Sequence, residues 1–585
     1  MKKYINIVLV FMSFLFVSCQ DFFNPEMKGN ISAVEFYQNI NNLRYGLNSV
    51  YNLMQSADYQ ESELLFGESV SDNCWDIQDT QSGDVSDIVN FTFNTQNPYI
   101  LQRYSVNYLG INKANQVIRS VPYIKYDTIG TTRSANENEI RRVYAQAKVL
   151  RALFYFNLAK SFGGVSIQPE NQDLKAMSIK RSTIDETYAY IEKDLREAIL
   201  ILEPRRYDGS EAGQIGLGGG LGLLMKVLLY EASPGIPLKA TDKNTKWQEA
   251  LEIGGYFIEG KNISVNDMLK FDQRYAQTET WSQLSKRLFL PSNTTKSTIQ
   301  SGITAKALHG LYDSDKIFRN IGEFSIESLI EINHYNYSGS GTSVNESWPM
   351  NGYMNKQSVT SDLYSVPTKD LYSLFQNDPR LLITMTDRNV SNYFNYDNGV
   401  LVPYNNVTAW WFSVGDYLQF TKFFVWQSEG TAGNRNYRVM RYTESLLIYA
   451  EILNETGNTK KAVDMVNLVR QRARKLLTDP NNLTYKYQSV LASNFNDIPY
   501  APYDIVRDAI YKEKRIEMAG ENDRWFEMAR LGIISDRING KMTVSDATGT
   551  HYKGQNFRKG VNEFLPIPQR EVLVSNGIIE QNFGY

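Results

Sequence analysis

The stretch MRYTESLLIYAEILNETGNTKKAVDMVNLVRQRAR, Met440 to Arg474, decides the fold. Two helical runs flank Thr456-Gly457-Asn458, a short turn signal. Leu446, Tyr449, Ala450 and Leu453 recur at steps of three and four in the first run, and Ala462, Val466 and Val469 do so in the second. That spacing puts each set on one helix face. The small Ala450 and Ala462 let two such faces approach closely.

The spacings resemble a tetratricopeptide helix pair. To either side, residues 221–258 and 504–530 read as looser pairs of the same kind. Amphipathic spacing also predicts helices over about 33–54 and 137–162, the second stopped by Gly163-Gly164. Ser182-Thr183 opens a further helix through Tyr188, Ile191, Leu195, Ala198 and Leu202; Asp185 and Glu186 favour its first turn and Pro204 stops it. The intervals are too irregular for a clean array. Residues from about 262 to 440 are rich in Asn, Ser, Thr, Gly and Tyr, with β-like pieces such as Ser328 to Ile332. The expected class is therefore mainly α: a tetratricopeptide-like helical scaffold with long loop-rich insertions and a few short β-strands. Loops held by a rigid scaffold are where ligand contacts concentrate.

The N-terminus supplies a second signal. Met1-Lys2-Lys3 precedes an apolar run from Ile5 to Val17, broken only by Asn6 and Ser13, and then Phe16-Val17-Ser18-Cys19. A charged start, a short apolar run and small residues before a cut site make a secretory signal peptide. The run falls short of the roughly 20 apolar residues that span a bilayer. The Cys at the cut site resembles a bacterial lipobox, with Cys19 acylated after cleavage, an anchor that does not span the membrane. The expected divisions are a signal peptide at 1–18, a lipidated tether at 19–32, an N-terminal helical region at 33–261, a loop-rich ligand-binding region at 262–439 and a C-terminal helical region at 440–585.

Composition excludes several classes. The net charge of −3 comes with no Lys/Arg-rich tract, so no nucleic acid is expected. Apart from Cys19 the only cysteine is Cys74, which leaves no intramolecular disulfide and no thiolate metal cluster. His309, His334 and His551 have no zinc-ligand spacing, and no Gly-x-Ser-x-Gly elbow occurs. The glycine cluster from Gly216 to Gly222 misses the phosphate-loop registers and reads as a flexible helix entry. No local signal marks a pair of glycosidase carboxylates. No catalytic residue, metal site or cofactor is assigned; a Ca²⁺ ion on the loops is left open. The 38 Tyr, 28 Phe and 8 Trp are abundant enough to supply ligand-stacking rings as well as core.

Several stretches in order resemble the SusD/RagB family of outer-membrane nutrient-binding lipoproteins. They are Cys19-Gln20-Asp21-Phe22-Phe23; Arg151 to Leu158 with Phe162-Gly163-Gly164-Val165; Arg181 to Ala198; and Glu327-Ser328-Leu329-Ile330-Glu331-Ile332. Pro367-Thr368 to Phe375 with Asp378-Pro379-Arg380, Arg441-Tyr442-Thr443-Glu444 to Glu451 and Asn467 to Arg470 come next. Glu513 to Glu517, Asp523-Arg524-Trp525-Phe526-Glu527 with Arg530, Leu565 to Gln569 and Gln581 to Tyr585 complete the set. Phe583 departs from the Asn-Pro-Gly-Tyr ending common in that family. The resemblance implies a non-catalytic protein that captures oligosaccharides, or in some members peptides, and passes them to a SusC-like TonB-dependent transporter in the outer membrane. Arg515, Glu517, Arg524 and Trp525 read as a network fixing the last helices, and Pro566, Pro568 and Tyr585 as a lock on the tail.

The family transfers no ligand motif, so candidate contacts come from chemistry and region. Asp72, Asn73 and Trp75 combine a ring with groups that bond hydroxyls. Asn345, Trp348, Asn351 and Tyr353 do the same in a Gly/Ser/Asn-rich loop, where an exposed Trp is costly unless it binds something. Trp281 is a weaker candidate, and Trp410, Trp411 and Trp426 read as core. The rival readings are a peptide-binding member of the same family, a surface glycoside hydrolase, and a scaffold whose helix pairs bind only proteins.

Overall fold

The computed structural model describes residues 36–585 except 76–82, 126–129, 169, 171–178, 239, 270–280, 289, 320–321, 335–364, 388–391, 396–399, 404–417, 423–435, 479–494, 539, 541 and 547–548. Helices dominate. The N-terminal set comprises α1 (Ile40–Gln55), α2 (Ala57–Leu64), α3 (Pro98–Ser120), α4 (Gly130–Phe162), α5 (Ile184–Ile199), α6 (Leu217–Ala232) and α7 (Ala240–Gly254). The C-terminal set comprises α8 (Tyr442–Glu455), α9 (Thr459–Thr478), α10 (Tyr503–Glu517) and α11 (Arg524–Leu531). Four short strands tie the loop-rich region to these helices: β1 (Cys74–Trp75), β2 (Ser328–Ile332), β3 (Val366–Pro367) and β4 (Tyr437–Arg441).

Local chemistry sets several ends. Thr183 caps α5 through a reciprocal pair with Glu186, as its sequence requires. α1 starts at Ile40, later than the hydrophobic spacing predicts, because Asn39 caps it and the side chain of Asn42 bonds the carbonyl of Phe36 in the preceding turn. α8 and α9 form the predicted antiparallel pair, with Ala450 and Ala462 fully buried at their contact. β2 occupies Ser328–Ile332 as read from sequence and pairs antiparallel with β4. One cluster of buried apolar side chains runs from Tyr37 to Ile579, so the helices before residue 262 and after residue 440 share a core.

Two expectations are corrected. The glycine cluster is not a flexible entry: residues 217–232 form α6, buried along its whole length. A Cβ on Gly219 would lie 2.6 Å from the carbonyl oxygen of Leu329, one on Gly220 would lie 2.8 Å from Leu202, and one on Gly222 would lie 2.9 Å from Leu329. The glycines are the clearance that lets α5 and β2 close on α6. Residues 504–530 are also not a helix pair of the α8–α9 kind. α10 packs on α8 and α9, while α11 packs on the turn after α2.

Gly219→Val therefore forces overpacking against a backbone carbonyl that cannot swing away. A loss of about 1–3 kcal/mol is expected in urea unfolding. An unchanged midpoint would contradict this packing of α6 on β2.

Candidate functional site

Both stretches singled out for ligand contact meet the scaffold at one place. β1 and β3 pair antiparallel, Cys74 opposite Pro367 and Trp75 opposite Val366. Thr368 ties the join from both sides: its backbone N–H donates to the Asn73 carbonyl at 2.8 Å and its hydroxyl to the Asp72 carbonyl at 2.9 Å. The hydroxyls of Ser69 and Ser365 bond each other. Lys553, buried, donates to the carbonyls of Ser69 at 2.7 Å and Cys74 at 2.5 Å. Trp75, the last residue described before 76–82, thus lies opposite Val366, two residues after the segment 335–364. At the other end of that segment, the His334 backbone N–H donates to Asn436 Oδ1 at 2.9 Å, and its ring lies 2.7 Å from Gln60 Nε2. Burial pulls the His334 imidazole down to about 4, so it is neutral.

Asn345, Trp348, Asn351 and Tyr353 lie outside the described residues, as do Trp410, Trp411 and Trp426. Trp75 is placed as a paired strand residue. Trp281 is half-buried against the core, which accounts for it without a ligand.

Asp72 and Asn73 are a correction. Asp72 is 0% exposed, and its carboxylate is occupied by protein. Arg524 donates to Oδ1 and Oδ2 at 2.7 and 3.0 Å, Arg537 donates to Oδ2 at 2.8 Å, and Arg515 lies 3.2 Å from Oδ2. Burial disfavours the charge, but the guanidiniums outweigh it and hold Asp72 well below the usual carboxylate range. Asn73 donates to Glu68 Oε1 at 2.8 Å and accepts from Arg515 Nε at 2.9 Å. Both residues are buried and committed to partners within the protein beside β1. Their polarity serves to anchor α10 and α11 under β1. Arg515 and Arg524 thus belong to the network read from sequence, which in addition grips Asp72 and Asn73.

The sequence missed Glu68, Asp370, Arg537 and Lys553 here, since none sits in a recognisable pattern. Glu68 lies in a π-helical turn, Leu65–Ser69, that continues α2. It accepts from the backbone N–H of Gly520 at 3.1 Å and of Asn522 at 3.2 Å. Burial pushes its carboxyl up to about 7 against those bonds and the charge of Arg524. Arg515 is pulled by burial to about 10, with Arg524 and Arg537 adding repulsion. Asp370 bonds Arg515 and Arg537, each at 2.7 Å, and carries the network to the surface. Cys74 is buried and free, its thiol pushed up by that burial and so unreactive. Among the described residues no cluster of His, Cys, Asp and Glu could hold a metal ion, and no helix is long and apolar enough to cross a membrane.

Residues 292–585, half of the chain, match the profile of the SusD family. The chain belongs to the SusD family. Residues 24–211 match a second profile described as starch-binding associating with outer membrane. SusD-like protein P2 of Formosa agariphila is 23% identical over 599 residues, covering 100% of both chains. A laminarin-binding SusD-like protein of known structure superposes with a TM-score of 0.62 at 23% identity, over 94% of this chain and 100% of the other. Surface glycan-binding protein A from Bacteroides thetaiotaomicron, in complex with laminarihexaose, gives 0.60 at 18% identity over 93% and 99%. At such identities the structural likeness establishes the SusD fold.

Two pH effects of opposite sign arise beside the β1–β3 join. Asp72 is depressed, so its contribution to stability is present above the ordinary value of 3.8 and is lost as pH falls below it. Glu68 is raised, so its contribution is full below 4.5 and is lost as pH climbs through about 7. Urea midpoints measured from pH 4.5 to 7 are therefore expected to fall less in Glu68→Gln than in the parent; parallel curves would mean that Glu68 is ionised in the folded protein throughout. Asp72→Asn leaves three guanidiniums facing a neutral amide and is expected to cost about 3–5 kcal/mol at pH 7.

Proposed function

We propose that this SusD-family protein is a lipid-anchored surface receptor that captures oligosaccharides and hands them to a SusC-like TonB-dependent transporter in the outer membrane. The observation that carries the reading is the shared foot at β1 and β3, from which the segment after Trp75 and the segment bearing Trp348 both emerge. In this reading Trp75, Trp348 and Tyr353 offer rings to the C–H faces of sugars, and Asn345 bonds hydroxyls. Such a site binds and releases; it transforms nothing. Cys19 supplies the anchor, and more than one acyl chain makes the attachment stable. The SusD-like neighbours that bind laminarin or hold laminarihexaose make a β-glucan the first ligand to test.

The test is affinity gel electrophoresis of residues 20–585 against a panel of polysaccharides, laminarin first, with the products analysed for cleavage. Retardation without cleavage is expected. Trp348→Ala or Trp75→Ala is expected to weaken binding about tenfold or more, the effect of truncating an aromatic anchor, with the unfolding midpoint preserved for Trp348→Ala. EDTA is expected to change nothing. Release of shorter sugars would overturn the reading in favour of a hydrolase, and two tryptophan variants that bind like the parent would remove the site from this face.

A further inference from the structure

One side of α9 is covered by a later segment of the chain. Residues 495–502 have neither helix nor strand and run along α9. Asn467 grips them with both ends of its amide: it accepts from the Ile498 N–H at 2.8 Å and donates to the Ile498 carbonyl at 3.1 Å. Arg470 donates to the Asn496 carbonyl at 2.9 Å. Within this strap lies Ile498-Pro499-Tyr500-Ala501-Pro502-Tyr503. The two prolines fix their own φ angles and exclude helical conformations at Ile498 and Ala501. Pro502 has φ −57° and ψ 158°, close to polyproline II. In that conformation residues three apart share a face, about 9 Å apart along the axis. Tyr500 and Tyr503 are three apart, with Pro502 between them in that conformation and Tyr503 opening α10.

Both rings are exposed and both are held. Tyr500 is 59% and Tyr503 38% exposed. The Tyr500 hydroxyl donates to Asp464 on α9 at 2.6 Å, and the Tyr503 hydroxyl to Glu455 at the end of α8 at 2.7 Å. Lys460 Nζ sits 5.2 Å from the centre of the first ring and the Arg507 guanidinium 5.7 Å from the second. Two rings are thus held by their hydroxyls, each with a cation over one face, and remain exposed to water beside charged groups that can bond sugar hydroxyls. The charges surrounding them distinguish the patch from a protein-docking core, where charged side chains are depleted. Asp504 and Asp508, beside the rings, are largely exposed.

We propose that Tyr500 and Tyr503 form a second glycan-stacking platform, on the outer face of the α8–α9 pair, that engages alternate sugars of an extended polysaccharide. It rests on the glycan-capture function but not on the residues assigned to the loop-bearing face. Tyr503 opens α10 and Arg515, at the foot of the loop-bearing face, lies twelve residues along it, about 18 Å away. A long chain can touch both places and gain from avidity, whereas a short oligosaccharide can touch only one.

The experiment compares the parent, Y500A/Y503A, Y500F/Y503F and Trp348→Ala, all as residues 20–585 and checked for unchanged thermal unfolding. Each is titrated with the retarding polysaccharide and with a short oligosaccharide cut from it. Y500A/Y503A is expected to weaken binding of the polymer about tenfold and leave the oligosaccharide unaffected, with Y500F/Y503F retaining polymer binding. Loss of both ligands in Trp348→Ala alone, with Y500A/Y503A indistinguishable from the parent, overturns the platform and keeps the loop-face site. Polymer loss in Y500A/Y503A with a fully active Trp348→Ala does the reverse. Unchanged polymer binding with failure of Y500A/Y503A to co-purify with the transporter would reassign the rings to a protein contact. A parent that binds no polysaccharide overturns both sites.

Discussion

The buried charge cluster around Arg441 is the constraint on which the rest of the SusD scaffold depends. Arg441 leaves the end of β4 and donates to Glu327 at 2.6 Å and to Glu521 at 2.7 Å, and lies 3.0 Å from Glu517. Arg472 of α9 donates to Glu327 at 2.8 Å and also bonds Glu517. Arg380 reaches Glu517 of α10 at 2.8 Å and Glu513 at 2.7 Å while holding Asp378, and Lys422 pairs with Glu521. With Arg470, which bonds Glu513, the cluster sets Arg380, Lys422, Arg441, Arg470 and Arg472 against Glu327, Asp378, Glu513, Glu517 and Glu521. Burial opposes ionisation of Glu517, yet three guanidiniums keep it charged far below the ordinary carboxylate range. Such a cluster tolerates no missing member, because one lost charge strands its partner where water cannot reach it.

That property bears on how the site is built. The cluster joins β4, α9 and α10 to the segment around Arg380, and the smaller cluster on Asp72, just before β1, ties that strand to α10 and α11. α10 is common to both: it contributes Glu513 and Glu517 to one and Arg515 to the other. The β1–β3 join is therefore braced through α10 against the buried charges around Arg441.

Legibility from sequence followed the kind of burial. α8 and α9 could be read because apolar residues recur at steps of three and four on both sides of the Thr456-Gly457-Asn458 turn, even though α8 is buried from Tyr442 to Asn454. α3 could not, because it is buried on several sides and carries Arg103, Asn107 and Asn115 inside, which blurs the periodicity. α6 was misread because a run of glycines looks flexible in one dimension. Only the approach of Leu202, Leu329 and Ser445 reveals that the missing side chains are the point. Asp72 and Asn73 were misread for a related reason. An acid and an amide beside a Trp suit a sugar, but Arg515, Arg524 and Arg537 lie more than 440 residues along the chain, and no local pattern announces that they converge there.

The stretches that carried the family resemblance then acquire a physical meaning. Glu327, Arg441, Glu517, Arg524, Glu527 and Arg530 are all members of buried ion pairs. A charge buried among charges constrains its neighbours more tightly than an apolar residue does, since a methyl can be replaced by another methyl but a guanidinium facing three carboxylates has no substitute of the same shape and sign. The stretches that carry the resemblance therefore mark the scaffold. None of those ion pairs involves a residue of the segments 76–82 and 335–364, so the scaffold shared with a SusD-like structure at 23% identity is specified apart from them.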